Sequence, residues 1–150
     1  MVDARRTGML LVLAALAAVT AAAPAMADCA DRAAAHVDWR RCIFDRQELR
    51  GRDLADASLR DASFVRADLS GADLSRVDAF RAKFNSATLA RTKLDEARLA
   101  EADLTKADVT GMRLSKADLD GADFRGATGV SLLKGLDEAR NKDKAIFDAK

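Results

Sequence analysis

The sequence predicts an all-β solenoid assembled from five-residue units, and two observations carry that prediction. First, every fifth residue from Phe44 to Phe124 is apolar, 17 positions in an unbroken frame of 80 residues. Only 49% of the chain is apolar, so composition alone does not produce such a run. Second, the residue two places earlier is small. It is Ala at 57, 62, 67, 72, 82, 87, 97, 102, 107, 117 and 122, with Cys42, Val77, Thr92 and Met112 among the exceptions. Asp is the commonest residue between the small and the large one, as in Ala67-Asp68-Leu69 and Ala102-Asp103-Leu104.

A period of five suits neither a helix, which recurs near 3.6, nor a strand, which recurs at 2. It suits a short extended piece followed by a turn. Residues two apart on an extended piece face the same way, so the small and large residues point inward and the other three point out. One such unit buries nothing alone, whereas a stack of them buries a continuous core.

The elements follow in chain order. Arg5 and Arg6 precede an apolar run over residues 9–19, followed by small residues and Ala25-Met26-Ala27. A basic start, a short apolar stretch and small residues two apart make a secretory signal peptide, residues 1–27, with cleavage expected after Ala27. The apolar stretch of 15 residues, from 9 to 23, is short for a membrane span, and Asp28 before Cys29 disfavours a lipoprotein. The exported part then carries 23 basic and 23 acidic residues and is expected in the periplasm or secreted.

Residues 28–43 form the expected N-terminal cap, partly helical, with Trp39 in frame five before Phe44. The cap covers an end where core and backbone would otherwise be bare. Cys29 and Cys42 are the two cysteines, and in an oxidising compartment two thiols suggest one disulfide. Two free thiols are the alternative. A zinc site from Cys29, His36 and Cys42 fits no common ligand spacing.

Residues 44–128 carry the repeat proper. The order Ala, Asp, Leu and two variable positions resembles the pentapeptide-repeat family. The resemblance covers residues 42–126 and implies a right-handed quadrilateral β-helix with four quintets per coil, one on each face. Sorting the large residues by twenty supports four. One face collects Phe44, Phe64, Phe84, Leu104 and Phe124, which holds four of the six phenylalanines. Stacked coils would bring these rings together at about the strand spacing of 4.8 Å. Ala79 weakens its column, and Phe80 next to it either folds back into the gap or lies exposed.

The frame lapses at residues 126–129. From Ser131, a plausible N-cap, Leu132, Leu133, Leu136 and Ala139 read as a helix. Residues 129–150 are therefore expected to be a short α-helical C-terminal cap over Phe124.

Chemistry is sparse. The chain has 150 residues, 25 basic and 24 acidic, with one His, no Tyr and one Trp. Histidine is the commonest general base, and His36 sits in the cap as an ordinary surface residue. Asp95 and Glu96 are adjacent but splay apart at a corner. No enzyme activity, cofactor or metal is expected.

The outward columns say more. The second residue after the large one reads Asp56, Arg76, Glu96, Lys116 on one face and Asp61, Arg81, Glu101, Gly121 on the next. Alternating signs on neighbouring strands support pairing and solubility. A third column, Arg46, Arg66, Ser86 and Lys106, does not compensate itself. It is a candidate binding stripe for an anionic polymer or partner, or else a solvated stripe with acids nearby.

The expected function is that of a non-catalytic, rigid interaction module in the cell envelope, because a rigid face lowers the ordering cost of binding. The expected partner is an envelope protein or an anionic polymer, with no nucleic acid and no stable membrane insertion after cleavage. The chain is expected as a monomer or a laterally paired homodimer. Some members of the family protect gyrase by mimicking DNA. The 16 acidic and 15 basic residues over 44–126, and the signal peptide, argue against that role here.

Overall fold

One quintet shows why these residues coil. In the computed structural model, which describes residues 29–149, each amide of residues 67–71 has its own partner. The Ala67 N–H closes a tight turn on the Phe64 carbonyl at 3.0 Å. The N–H groups of Asp68, Leu69 and Gly71 donate to neighbouring coils, to the carbonyls of Gln47, Thr88 and Ala90, at 2.8–2.9 Å. The fifth, from Ser70, donates to Asp68 Oδ1 at 3.0 Å. A backbone amide left unpaired is costly, and the frequent Asp of the repeat satisfies the one that the coil cannot. The same bond recurs at Asp53, Asp73, Asp103, Asp108 and Asp123. Where Ser63 and Arg113 replace that Asp, the carboxylates of Asp45 and Asp95 in the coil before reach over and accept instead.

Single-residue parallel bridges join residues 20 apart, from Asp38↔Ser58 through Asp108↔Thr128. Five residues per unit and twenty per coil give four faces. They are numbered here by their first repeat residue: Phe44, Leu49, Leu54 and Leu59 lie on the first to fourth faces. At each corner the second residue after the large one has φ near +60°, as at Arg46, Asp56, Asp61 and Arg66. Together with the three-residue hydrogen bond across it, this is the geometry of a type II turn.

The large residues from Leu54 to Phe124 are fully buried, and the small ones pack beside them. Ala79 is buried in a large position, and Val77 two places earlier supplies the missing volume from the usual alanine position. Cores tolerate such exchanges when total volume is kept. Phe80 is therefore not needed inside: it points outward, half-buried, with the Arg60 guanidinium 4.7 Å from its ring centre. Buried Thr92 satisfies its hydroxyl by donating to the Leu69 carbonyl at 2.8 Å. On the first face the rings stack at 5.5 Å (Phe44–Phe64) and 5.3 Å (Phe64–Phe84).

Both ends depart from expectation. The region read as a partly helical N-terminal lid carries no helix among the described residues. The bridge ladder already begins at Asp38, and Trp39 fills a core position with its ring 4.1 Å from Phe44. The residues before it are tied down by the Cys29–Cys42 disulfide, with Cα atoms 5.5 Å apart. The signal-like segment 1–27 and its cleavage point lie outside the described residues.

The α-helical cap expected over 129–150 is not formed. Among the described residues the tail contains two 3-10 turns, Val130–Leu132 and Lys142–Lys144, and otherwise continues the coil. Its bridges are Arg113↔Lys134, Asp118↔Arg140 and Asp123↔Ile146, so successive bridging residues from Thr128 lie six apart. Each side of this last coil gains one residue, absorbed by a left-handed residue at Gly129, Gly135 or Asn141. Phe147 then stacks on Phe124 at 5.0 Å and closes the aromatic column.

Candidate functional site

With an apolar interior, what this chain can recognise is set by its corners. Each corner is a column of turn residues, one per coil, projected outward by the same left-handed conformation. The third corner reads His36, Asp56, Arg76, Glu96, Lys116 and the fourth Arg41, Asp61, Arg81, Glu101, Gly121. Both contain ion pairs along the rod. Arg76 bonds Asp56 through two nitrogens, at 2.8 and 2.7 Å, and Arg81 lies 3.6 Å from Asp61 and 3.9 Å from Glu101. The Arg76 hydrogen bond holds the Asp56 carboxyl below the usual carboxylate range. The second corner, Gly51, Gly71, Arg91 and Gly111, is nearly bare of side chains.

The first corner differs from all three. Arg46, Arg66, Ser86 and Lys106 are exposed, in register on successive coils, with φ of 61, 58, 59 and 57°. Among the described residues, none of the three cations has an ion-pair partner. Acids stand close by in sequence but are engaged elsewhere. Asp45 accepts from Ser63 and from the Val65 amide, and Asp68 from Arg50 and Ser70. Arg46, Arg66 and Lys106 thus share one corner column, with Ser86 between the second and the third and Asp148 bonded to the Gly126 amide at its end.

Matches to the pentapeptide-repeat pattern occur in eight copies, over residues 42–78 and 82–121. The chain belongs to the pentapeptide-repeat family. The matched stretches part at 79–81, where Ala79 stands in place of a large residue. Among solved structures, this pentapeptide-repeat chain is similar to a pentapeptide repeat protein of the Arabidopsis thaliana thylakoid lumen. The two are 29% identical over 65% of this chain and 63% of that one, with a TM-score of 0.34. The chain therefore spans a little under two thirds of that protein's length. Rfr23 from the cyanobacterium Cyanothece 51142 is 22% identical over 72% of this chain and 85% of that one, TM-score 0.35. QnrB1, a plasmid-mediated fluoroquinolone resistance protein, is 16% identical over 75% of this chain and 82% of that one, TM-score 0.23. No curated protein matches the chain.

His36 is exposed at the third corner, and Asp95 is turned to Arg113 and the Ser115 amide. An open hollow beside the fourth corner is lined by Asp61, Arg81, Lys83, Glu101 and Asp103, whose charges largely cancel. Sequence reasoning missed Arg60 over Phe80, although the two are one coil apart in the same column. It also missed Ile43, 74% exposed in the position where the repeat otherwise favours Asp. That substitution was the signal.

Proposed function

We propose that the protein is an exported, non-catalytic binding module, a right-handed rod that offers its first corner to an acidic polymer or acidic protein surface of the cell envelope. The observation that carries this reading is the column Arg46, Arg66 and Lys106, broken by Ser86 and without ion-pair partners among the described residues, whereas Arg76 and Arg81 at the third and fourth corners are paired. A self-compensating ladder needs no partner, whereas like charges held in register, one and two coils apart, are complementary to a row of anions. The coil fixes that spacing before binding, so little order is lost on association. Export is supported by the Cys29–Cys42 bond, since such bonds persist in oxidising compartments. The apolar side chains that fill the coil among the described residues support the non-catalytic reading.

The test is retention on immobilised polyglutamate across a salt gradient. The parent should bind at low ionic strength and elute as salt screens the contacts. A variant with Arg46, Arg66 and Lys106 all changed to Ser should pass through, while Arg91→Ser, at the second corner, should behave as the parent. Equal retention of parent and triple variant would overturn the reading.

A further inference from the structure

The Cys29–Cys42 bond joins two residues in opposite surroundings. Cys29 is exposed, on the short segment that precedes the coil, whereas Cys42 is 1% exposed. Cys42 stands two places before Phe44, in the small inward position that Ala fills at 57, 62 and 67. Its backbone is fixed there without the disulfide. The Cys42 N–H donates to the Trp39 carbonyl at 3.1 Å, and the Cys42 carbonyl accepts from the Ser63 amide at 2.8 Å. Amides on either side are anchored to the coil above. His36 donates to the Ala55 carbonyl at 2.8 Å, Trp39 to Ser58 and Arg41 to Arg60 at 2.9 Å, and Phe44 to Ser63 at 2.7 Å. From His36 onward the chain is therefore rod. Residues 29–33 are tied to it covalently by the disulfide, and Ala33 packs on the core.

That segment lies at an unfinished end. On the first and second faces the bridges begin at Ile43↔Ser63 and Glu48↔Asp68, so no earlier coil stands beneath Phe44 and Leu49. Leu49 is nevertheless only 8% exposed, and Phe44 is half-buried. The indole N–H of Trp39, buried against the Phe44 ring, has no hydrogen-bond partner among the described residues.

We infer that Cys29 is a site of thiol–disulfide exchange, and that its bond to Cys42 is a latch that a dithiol opens while the rod stays folded. A thiolate of the dithiol attacks the Cys29 sulfur, the accessible one, and forms a mixed disulfide there. The Cys29–Cys42 bond breaks, and Cys42 leaves as a thiolate that takes up a proton. The second thiolate of the reductant then attacks the reductant's own sulfur in the mixed disulfide and expels Cys29, which is protonated in turn. Two electrons and two protons have passed to the chain, and the dithiol has become a disulfide. The Cys42 thiol needs no new place, because a free cysteine behaves as a small apolar residue and already sits where the repeat wants one. Opening frees residues 29–33 and lets water reach Phe44, Leu49 and the Trp39 indole.

The purified, disulfide-bonded protein, without denaturant, tests this. Glutathione has a single thiol, so the mixed disulfide accumulates, and peptide mapping after acid quenching should place it on Cys29. After dithiothreitol, N-ethylmaleimide should label Cys29 about tenfold faster than Cys42 or more, since Cys42 stays buried. Circular dichroism should still show a cooperative melt. Hydrogen exchange should rise over residues 29–33 and stay slow at the amides of Trp39, Arg41 and Phe44. The emission of Trp39, the one tryptophan of the chain, should move to longer wavelength. Cys42→Ala should show the same melt, exchange pattern and emission as the reduced parent. A mixed disulfide on Cys42, equal labelling of the two cysteines, or a bond that resists dithiothreitol until denaturant is added would overturn the inference. So would loss of the cooperative melt on reduction, or a Trp39 emission that reduction leaves unmoved.

Discussion

The coils between residues 42 and 128 and the final coil between 128 and 147 perform the same task with different parts. The first group advances five residues per side, with every corner in one conformation and, from residue 57 to residue 124, two inward residues buried on every side. The last coil advances six per side and places Gly129, Gly135 and Asn141 where the large residue would stand. At the two glycines no side chain enters the centre, and backbone approaches backbone. A Cβ added to Gly135 would lie 2.8 Å from the Ser115 amide nitrogen, whereas one added to Gly71 meets nothing within 4 Å. The repeat is held by columns of apolar volume, and its end by close contact and a few polar ties such as Asn141 to Asp118 at 2.8 Å.

The strongest way to break that contrast is to attack the apolar columns. Leu94→Asp puts an unpaired carboxylate in a fully buried position, which costs several kcal/mol against a total stability of about 5–15 kcal/mol. It should abolish the cooperative thermal transition seen by circular dichroism. A variant that melts like the parent would mean that Leu94 does not face inward. Next in size is a paired comparison of glycines. Gly71→Ala should cost about 1–2 kcal/mol, the left-handed penalty alone. Gly135→Ala adds a backbone clash and should cost about 3 kcal/mol or more. Urea midpoints measure both. Hydrogen exchange at Leu114, whose amide bonds the Lys134 carbonyl, should rise selectively in Gly135→Ala. Equal effects at the two glycines would erase the distinction between the regions.

The smallest effect concerns acid. The hydrogen bond from Asn141 holds the Asp118 carboxyl below its ordinary range, against the opposing effect of its partial burial. Arg125 does the same for Asp123. Their folded pKa values lie below the unfolded value of about 3.9, so their contribution is complete above it and is lost as pH falls through the folded values. The melting temperature should stay level down to about pH 4 and fall below it. In Asn141→Ala the fall should be shallower, since Asp118 then has less to lose. An unchanged slope would detach Asn141 from the stability of the last coil.

How legible each region was follows from its period. The inward set from Leu54 to Phe124 could be read directly, because position in a five-residue frame decides burial without knowledge of distant contacts. The charged column at the first corner was readable for the same reason. The last coil was misread because Leu132, Leu133, Leu136 and Ala139 satisfy a helical spacing locally. The operative series was Ala127, Leu133, Ala139 and Ala145, six apart, with Gly129, Gly135 and Asn141 two places on. Residues that favour left-handed backbone were the evidence for a turn at each of those places. Ala79 shows another limit: the frame exposed a deficit of volume, but only the packed structure shows Val77 making it up. The role of Asp was likewise visible as a frequency and intelligible only once the amides had been counted.

The ion-paired corners carry a rule about length. Along the third corner the charges of Asp56, Arg76, Glu96 and Lys116 alternate, so their pattern returns after 40 residues while the coil returns after 20. Duplicating one coil would preserve every backbone bond and every inward column, yet would set like charge against like at two corners simultaneously. Duplicating two would leave both intact. Rods of this composition are thus commensurate with growth by even numbers of coils, a parity imposed by electrostatics on a scaffold whose backbone has none.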